Sequence, residues 1–84
     1  MADYTLVYTK RAASDIDKLD TLSRKRLGKR MVDLQGDPAG KSRKLTNSKI
    51  GTYRYRIGDY RVVFDLAGKK VVILRVGHRM EIYR

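Results

Sequence analysis

Eighty-four residues without a cysteine confine the chain, residues 1–84, to one domain with a small core, and exclude a disulfide framework or a thiolate metal site. Twenty lysines and arginines against nine acidic residues give a formal charge of +11, a field that attracts polyanions. A single histidine leaves no zinc site, no apolar run approaches membrane-spanning length, and the opening MADYTLVYTKRA lacks the apolar core of a secretory signal, so a soluble cytoplasmic protein is expected.

In chain order, Tyr4, Leu6 and Tyr8 alternate with Thr5, Val7 and Thr9, which predicts a short first strand. Thr9 can cap a helix beginning at Lys10, in which Ala12, Ala13, Ile16 and Leu19 form the apolar stripe up to about Asp20. Asp20, Thr21 or Ser23 can cap a second helix with Leu27, Met31 and Leu34 on its inner face, and Gly36 followed by Asp37-Pro38 ends it. Arg24, Lys25, Arg26, Lys29 and Arg30 spread around the rest of that helix as a solvated surface. Residues 37–51 read as a polar connector anchored by Leu45 and Ile50, with Lys41, Arg43, Lys44 and Lys49 exposed.

The stretch from Thr52 onward alternates as strands do. Tyr53, Tyr55 and Ile57 share one face and Arg54 and Arg56 the other; after Gly58-Asp59, Tyr60, Val62 and Phe64 alternate with Arg61, Val63 and Asp65. A two-residue turn with Gly58 at positive φ sets Ile57 against Tyr60, Tyr55 against Val62, Tyr53 against Phe64, and Arg56 against Arg61. Directly opposed arginines destabilise a sheet unless something neutralises them, which suggests an anion between them. A three-residue loop at Ala67-Gly68-Lys69 puts Val72, Leu74 and Val76 on the Phe64 face and brings Arg75 to Arg56 and Arg61. Beyond Gly77, Arg79, Glu81 and Tyr83 alternate with His78, Met80 and Ile82. The expected architecture is α+β, β-α-α-β-β-β, with the two helices on one face of a small, mainly antiparallel sheet and the arginine face open.

The residues contain no Ser/His/Asp set, no paired acidic site and no glycine-rich phosphate loop. They suit phosphodiester chemistry without a metal or other cofactor: arginines to neutralise a phosphorane, and Tyr83 or His78 to move protons. RNA brings its own nucleophile, the 2′-hydroxyl beside the scissile phosphate. Clustered arginines favour the phenolate of Tyr83, although a terminal tyrosine can equally pack its ring at a sheet edge. His78 has a suitable intrinsic pKa, yet alternation puts it with Met80 and Ile82 as a half-buried structural residue. Arg61 is the most central arginine, Arg54 and Arg56 are placed for neighbouring phosphates, and Arg75 is better explained as an ion-pair partner of Asp59, Asp65 or Glu81.

With Lys44-Leu45 before the hairpin, YRYRIGDYRVVFD within it and VGHRMEIY at the end, the chain resembles the RelE/ParE superfamily of bacterial and archaeal toxins, and its RelE branch in particular. The resemblance implies a toxin of a type II toxin-antitoxin system that enters the A site of the 70S ribosome and cuts mRNA there. It also implies a cognate antitoxin that wraps and suppresses the toxin and carries the complex to operator DNA. By the same resemblance Arg61, Arg79 and Tyr83 are catalytic, and Lys44, Arg54 and Arg56 contact RNA. Arginine stands at Arg54 and Arg56 where RelE has lysine, the turn at Gly58-Asp59 is shorter, and the segment from Arg79 to Tyr83 is compressed. Two other readings remain open: a ParE-like inhibitor of DNA gyrase without nuclease activity, and a non-catalytic RNA-binding relative.

Overall fold

The computed structural model describes residues 4–44 and 53–78. Their order is β1 (Thr5–Tyr8), α1 (Lys10–Asp17), α2 (Thr21–Gly36), α3 (Pro38–Lys41), β2 (Arg43–Lys44), β3 (Tyr53–Ile57), β4 (Tyr60–Ala67) and β5 (Lys70–His78). The strands make one five-stranded sheet in the order β1-β5-β4-β3-β2, antiparallel except for the parallel pair β1 and β5. The α+β arrangement of two helices on a mainly antiparallel sheet is as expected. Among the described residues no helix is long and apolar enough to cross a membrane.

Thr9 starts α1 by two bonds from one hydroxyl. Its Oγ1 accepts from the Ala12 N–H at 3.1 Å, the cap that satisfies an orphan helix donor, and donates to Ile73 O at 2.9 Å, which ties the helix start to β5. Asp20 caps α2, accepting from the Ser23 N–H at 3.2 Å and from the Ser23 hydroxyl at 2.6 Å. The inner face of α2 is Leu27, Met31 and Leu34, as its spacing predicts. That of α1 departs from prediction: the helix stops at Asp17, Ala13 is exposed, and Asp15 is buried beside Ala12. Ile16 and Leu19 are half-buried against the core.

The first hairpin has the predicted register at every pair, including Arg56 against Arg61, and Gly58 turns with φ +59°. Tyr53 and Phe64 stack across it at 5.4 Å between ring centroids. The second hairpin corrects the expectation. Its turn is Gly68-Lys69 alone, with Ala67 paired to Lys70, so Phe64 faces Ile73 and not Val72. Val71 and Ile73 enter the core in place of Val72 and Leu74. A bulge between Val63 and Phe64 then shifts the pairing again and returns Val76 to the core face. Two further elements, α3 and β2, occupy the beginning of what reads as an unstructured connector. The anchors expected at Leu45 and Ile50 lie outside the described residues.

The core lies between the helices and one sheet face: Ala12, Leu27, Met31 and Leu34 pack on Tyr55, Ile57, Val62, Phe64, Val71, Ile73 and Val76. Complete burial of a Phe or Ile side chain contributes about 1.5–3 kcal/mol, so this layer holds the sheet that carries the arginines.

Candidate nucleic-acid interface

The sheet face turned away from the core carries Arg43 on β2, Arg54 and Arg56 on β3, and Arg61 on β4. Register puts them in cross-strand pairs, Arg43 opposite Arg54 and Arg56 opposite Arg61. Alternation along β3 keeps both pairs on one side.

Exposure grades across this face. Arg56 is exposed and Arg54 half-buried, whereas Arg61 is only 7% exposed and its neighbour Val63 is 0% exposed. The arginine face is therefore closed at β4 and open at β3, which corrects the expectation of a uniformly open surface. The cross-strand neighbours of Val63 are Arg54 and Arg75, side chains with aliphatic stems long enough to bury apolar surface beside them.

Arg61 is held by its own turn. Its Nη1 donates to Gly58 O and to Tyr60 O, both at 3.0 Å. The repulsion expected between Arg56 and Arg61 is thus met in part by carbonyl dipoles, and the guanidinium is fixed before any ligand arrives. Gly77, directly across from Arg61 on β5, carries no side chain to compete for the space.

Arg75 does not join the ladder. Its Nε donates to Asp15 Oδ2 at 2.9 Å, and the same oxygen accepts the Val76 N–H at 3.0 Å. An ion pair was expected for Arg75, but with Asp59, Asp65 or Glu81; the partner comes instead from α1. Sequence reasoning missed Asp15, although a signal was present: it stands three residues after Ala12, on the apolar stripe, where an acid needs a partner.

His78, the last residue of β5, is half-buried and meets Tyr60 edge to face at 5.9 Å. Together they border a cleft with Asp15, Lys18 and Arg75. Lys44 lies in β2 opposite Tyr53. Arg79 and Tyr83 lie outside the described residues. Two described phenols have shifted pKa values: burial pushes Tyr8 up, and burial pushes Tyr55 up against the opposing pull of Arg30. Tyr55 belongs to the core layer, so its phenol is not available to the arginine face.

Arg43 is the second residue that sequence reasoning passed over. It reads as one exposed cation in a polar connector, and a two-residue strand offers no periodicity to mark it. With Gly40, Ser42, Arg54 and Arg56 it lines a cleft of about 330 Å³ at the β2 side of the sheet. What the face offers chemically is a set of guanidiniums that take phosphate oxygens in pairs, graded from an exposed edge to a fixed, buried centre.

Similarity to known proteins places this two-layer α+β domain in a class: the toxins of type II toxin-antitoxin systems. The chain belongs to the RelE/ParE toxin family and is RelE-like, since the family profile described as "ParE toxin of type II toxin-antitoxin system, parDE" matches residues 6–83. It is 34% identical over 88 aligned positions to toxin RelG of Mycobacterium tuberculosis, with 96% of this chain and 97% of that protein covered. The toxin-antitoxin complex RelBE2 of the same organism superposes with a TM-score of 0.83 at 31% identity, covering 92% of this chain and 99% of that one. Isolated Escherichia coli RelE gives a TM-score of 0.76 at 28% identity, with 95% and 90% covered. The ParDE system of P. aeruginosa, at 15% identity and a TM-score of 0.74 with 93% and 98% covered, shares the fold alone.

Proposed function

We propose that this toxin is an endoribonuclease that cuts mRNA in the ribosomal A site and is neutralised by a cognate antitoxin. The observation that carries the reading is the arginine face: Arg56 opposite Arg61, with Arg61 immobilised on the Gly58 and Tyr60 carbonyls. Preorganised donors aimed at developing charge are the largest single contribution to many rate enhancements, and a phosphorane dianion is such a charge. Likeness to RelG and to toxins solved with their antitoxins supports the toxin role and the antitoxin partner.

In the proposed reaction Tyr83 takes the proton of the 2′-hydroxyl, with His78 as the alternative proton carrier. The 2′-oxygen attacks the adjacent phosphorus, and Arg61 and Arg79 stabilise the phosphorane. The P–O5′ bond breaks, leaving a 2′,3′-cyclic phosphate on one fragment and, after protonation, a 5′-hydroxyl on the other. Arg54, Arg56 and Lys44 hold flanking phosphates. The arginines supply the positive charge, so no metal enters any step.

Primer extension on a defined mRNA, with ribosomes stalled at a known codon and without them, tests the reading. Cuts confined to the A-site codon are expected, and Tyr83→Phe should reduce them about 100-fold or more while leaving the fold intact. Intact mRNA under both conditions, from folded toxin, would overturn it.

A second reading has one observation in its favour, the ParE description of the family profile. It predicts inhibition of DNA supercoiling by gyrase with no RNA product. The same toxin preparation added to a gyrase assay separates the two.

A further inference from the structure

The β2 edge of the arginine face has two groups, Arg43 and Ser42, to which the proposed cleavage gives no role. Arg43 and Arg54 face each other directly across β2 and β3, a like-charge pair that costs stability in an empty sheet. Among the described residues neither of them, nor Arg56, has a carboxylate partner; the ion pairs there join Arg30 to Asp33 and Arg75 to Asp15. The cleft they line is about 330 Å³ and also includes Gly40 and Ser42. The Ser42 Oγ is buried and has no hydrogen-bond partner among the described residues. A buried hydroxyl carries a desolvation cost that a ligand acceptor would relieve. The Gly40 N–H is not on offer, because it already donates to Asp37 Oδ1 at 3.1 Å.

We propose that this cleft is a second phosphate site, in which Arg43 and Arg54, with the Ser42 hydroxyl behind them, hold a backbone phosphate of the RNA strand that also reaches Arg61. The proposal rests on the endonuclease reading above. Two cations without a carboxylate and one unpaired donor are complementary to a tetrahedral anion. Guanidiniums present the fork that phosphate oxygens accept. Position then limits which phosphate it is. Two strand spacings and two residues of rise separate Arg43 from Arg61 by about 12 Å, so the cleft takes a neighbour of the scissile phosphate along the same strand. Arg56 lies between the two sites and links them. Arg43 is thus a positioning residue: it sets the register of the strand and touches no reacting atom.

The test uses a labelled 2′-O-methyl RNA oligonucleotide, which cannot be cut, with its phosphates replaced one at a time by neutral methylphosphonate. Binding is followed by fluorescence anisotropy over a range of salt. Arg43→Gln should weaken binding about tenfold and lower the slope of log affinity against log salt by about 0.7, the value for one single-strand phosphate. Lys70→Gln, an equal charge loss at the distant end of β5, should change neither by more than about twofold. One methylphosphonate position should weaken the wild-type complex as much as Arg43→Gln does, and weaken the Arg43→Gln complex no further. Equal losses for Arg43→Gln and Lys70→Gln, or methylphosphonate effects that persist in full in the variant, overturn the site. So does an Arg43→Gln variant that binds RNA normally but has lost affinity for its antitoxin, since the cleft then serves an acidic peptide. Failure of A-site cleavage by the wild-type protein overturns the endonuclease reading and leaves this binding result standing, so the two failures are distinguishable.

Discussion

Arg61 donates twice from one nitrogen, to Gly58 O in the turn before its strand and to Tyr60 O at the strand's first residue. The residue therefore has a structural and a chemical role that a single substitution confounds. Arg61→Ala removes a nearly buried side chain and its two bonds to carbonyls, at a cost of about 2 kcal/mol in folding, and should lower cleavage by about 100- to 1,000-fold, the range for loss of one preorganised donor. Arg61→Lys keeps the charge and can recover one of the carbonyl bonds, so about half of the stability should return. Cleavage should stay low, because an ammonium lacks the planar fork. Urea melts and single-turnover cleavage at saturating toxin give the two readings separately. If Arg61→Lys restores cleavage and stability in parallel, Arg61 acts through the turn and not on the phosphorane. That Arg61 is central was legible from its place among alternating core positions. Its burial was not, since nothing in a run of alternating residues says what lies over the far face.

At the scale of elements, legibility followed the strength of local signals. The first hairpin was readable to the residue, because Gly58-Asp59 fixes a two-residue turn and the flanking residues alternate cleanly. The second was not. Val71, Val72, Ile73 and Leu74 are all apolar, so period two gives no face, and only the Gly68-Lys69 turn, with Gly68 at φ +61°, and the bulge after Val63 decide it. The Thr9 cap was equally readable; for the second helix the sequence left Asp20, Thr21 and Ser23 open, and the cap the structure uses, Asp20, carries a pH dependence. Its carboxyl is held below the ordinary value of 3.8, chiefly by the Ser23 hydroxyl and then by the Ser23 N–H. A depressed folded pKa gives stability that is present above 3.8 and is lost as pH falls through the lower folded value. Asparagine caps a helix comparably but does not titrate. Wild-type protein should therefore melt slightly above Asp20→Asn at pH 6, and the gap should close as pH falls below about 3.8, other carboxyls being common to both. Thermal melts between pH 2.5 and 6 measure it, and a gap that stays constant with pH removes the carboxylate from the account.

For the whole molecule, the least legible features were those that join distant segments, and Asp15 shows why they matter. β1 pairs with β5 only as far as Tyr8 and Ile73, so from that point β5 has no strand on its outer edge. α1 takes over the edge: Thr9 Oγ1 donates to Ile73 O, and the Asp15 carboxylate accepts the Val76 N–H and pairs with Arg75. One side chain thus does for β5 what a longer β1 would do, and it fastens the helix layer to the strand that leads into Gly77 and His78. Asp15→Ala leaves a buried N–H without an acceptor and Arg75 without its partner, which should cost about 3 kcal/mol. That is a large share of the roughly 5–15 kcal/mol that holds a small domain together. Asp15→Asn retains one acceptor oxygen and should cost about 1 kcal/mol. Urea titrations should show lower midpoints at unchanged slope, and amide exchange at Val76 should quicken in Asp15→Ala before exchange at the Phe64 and Ile73 core does. If exchange quickened equally at all three positions, Asp15 would stabilise the domain globally without acting as the local fastening of β5. A shift below about 0.5 kcal/mol would show that water replaces the carboxylate at little cost.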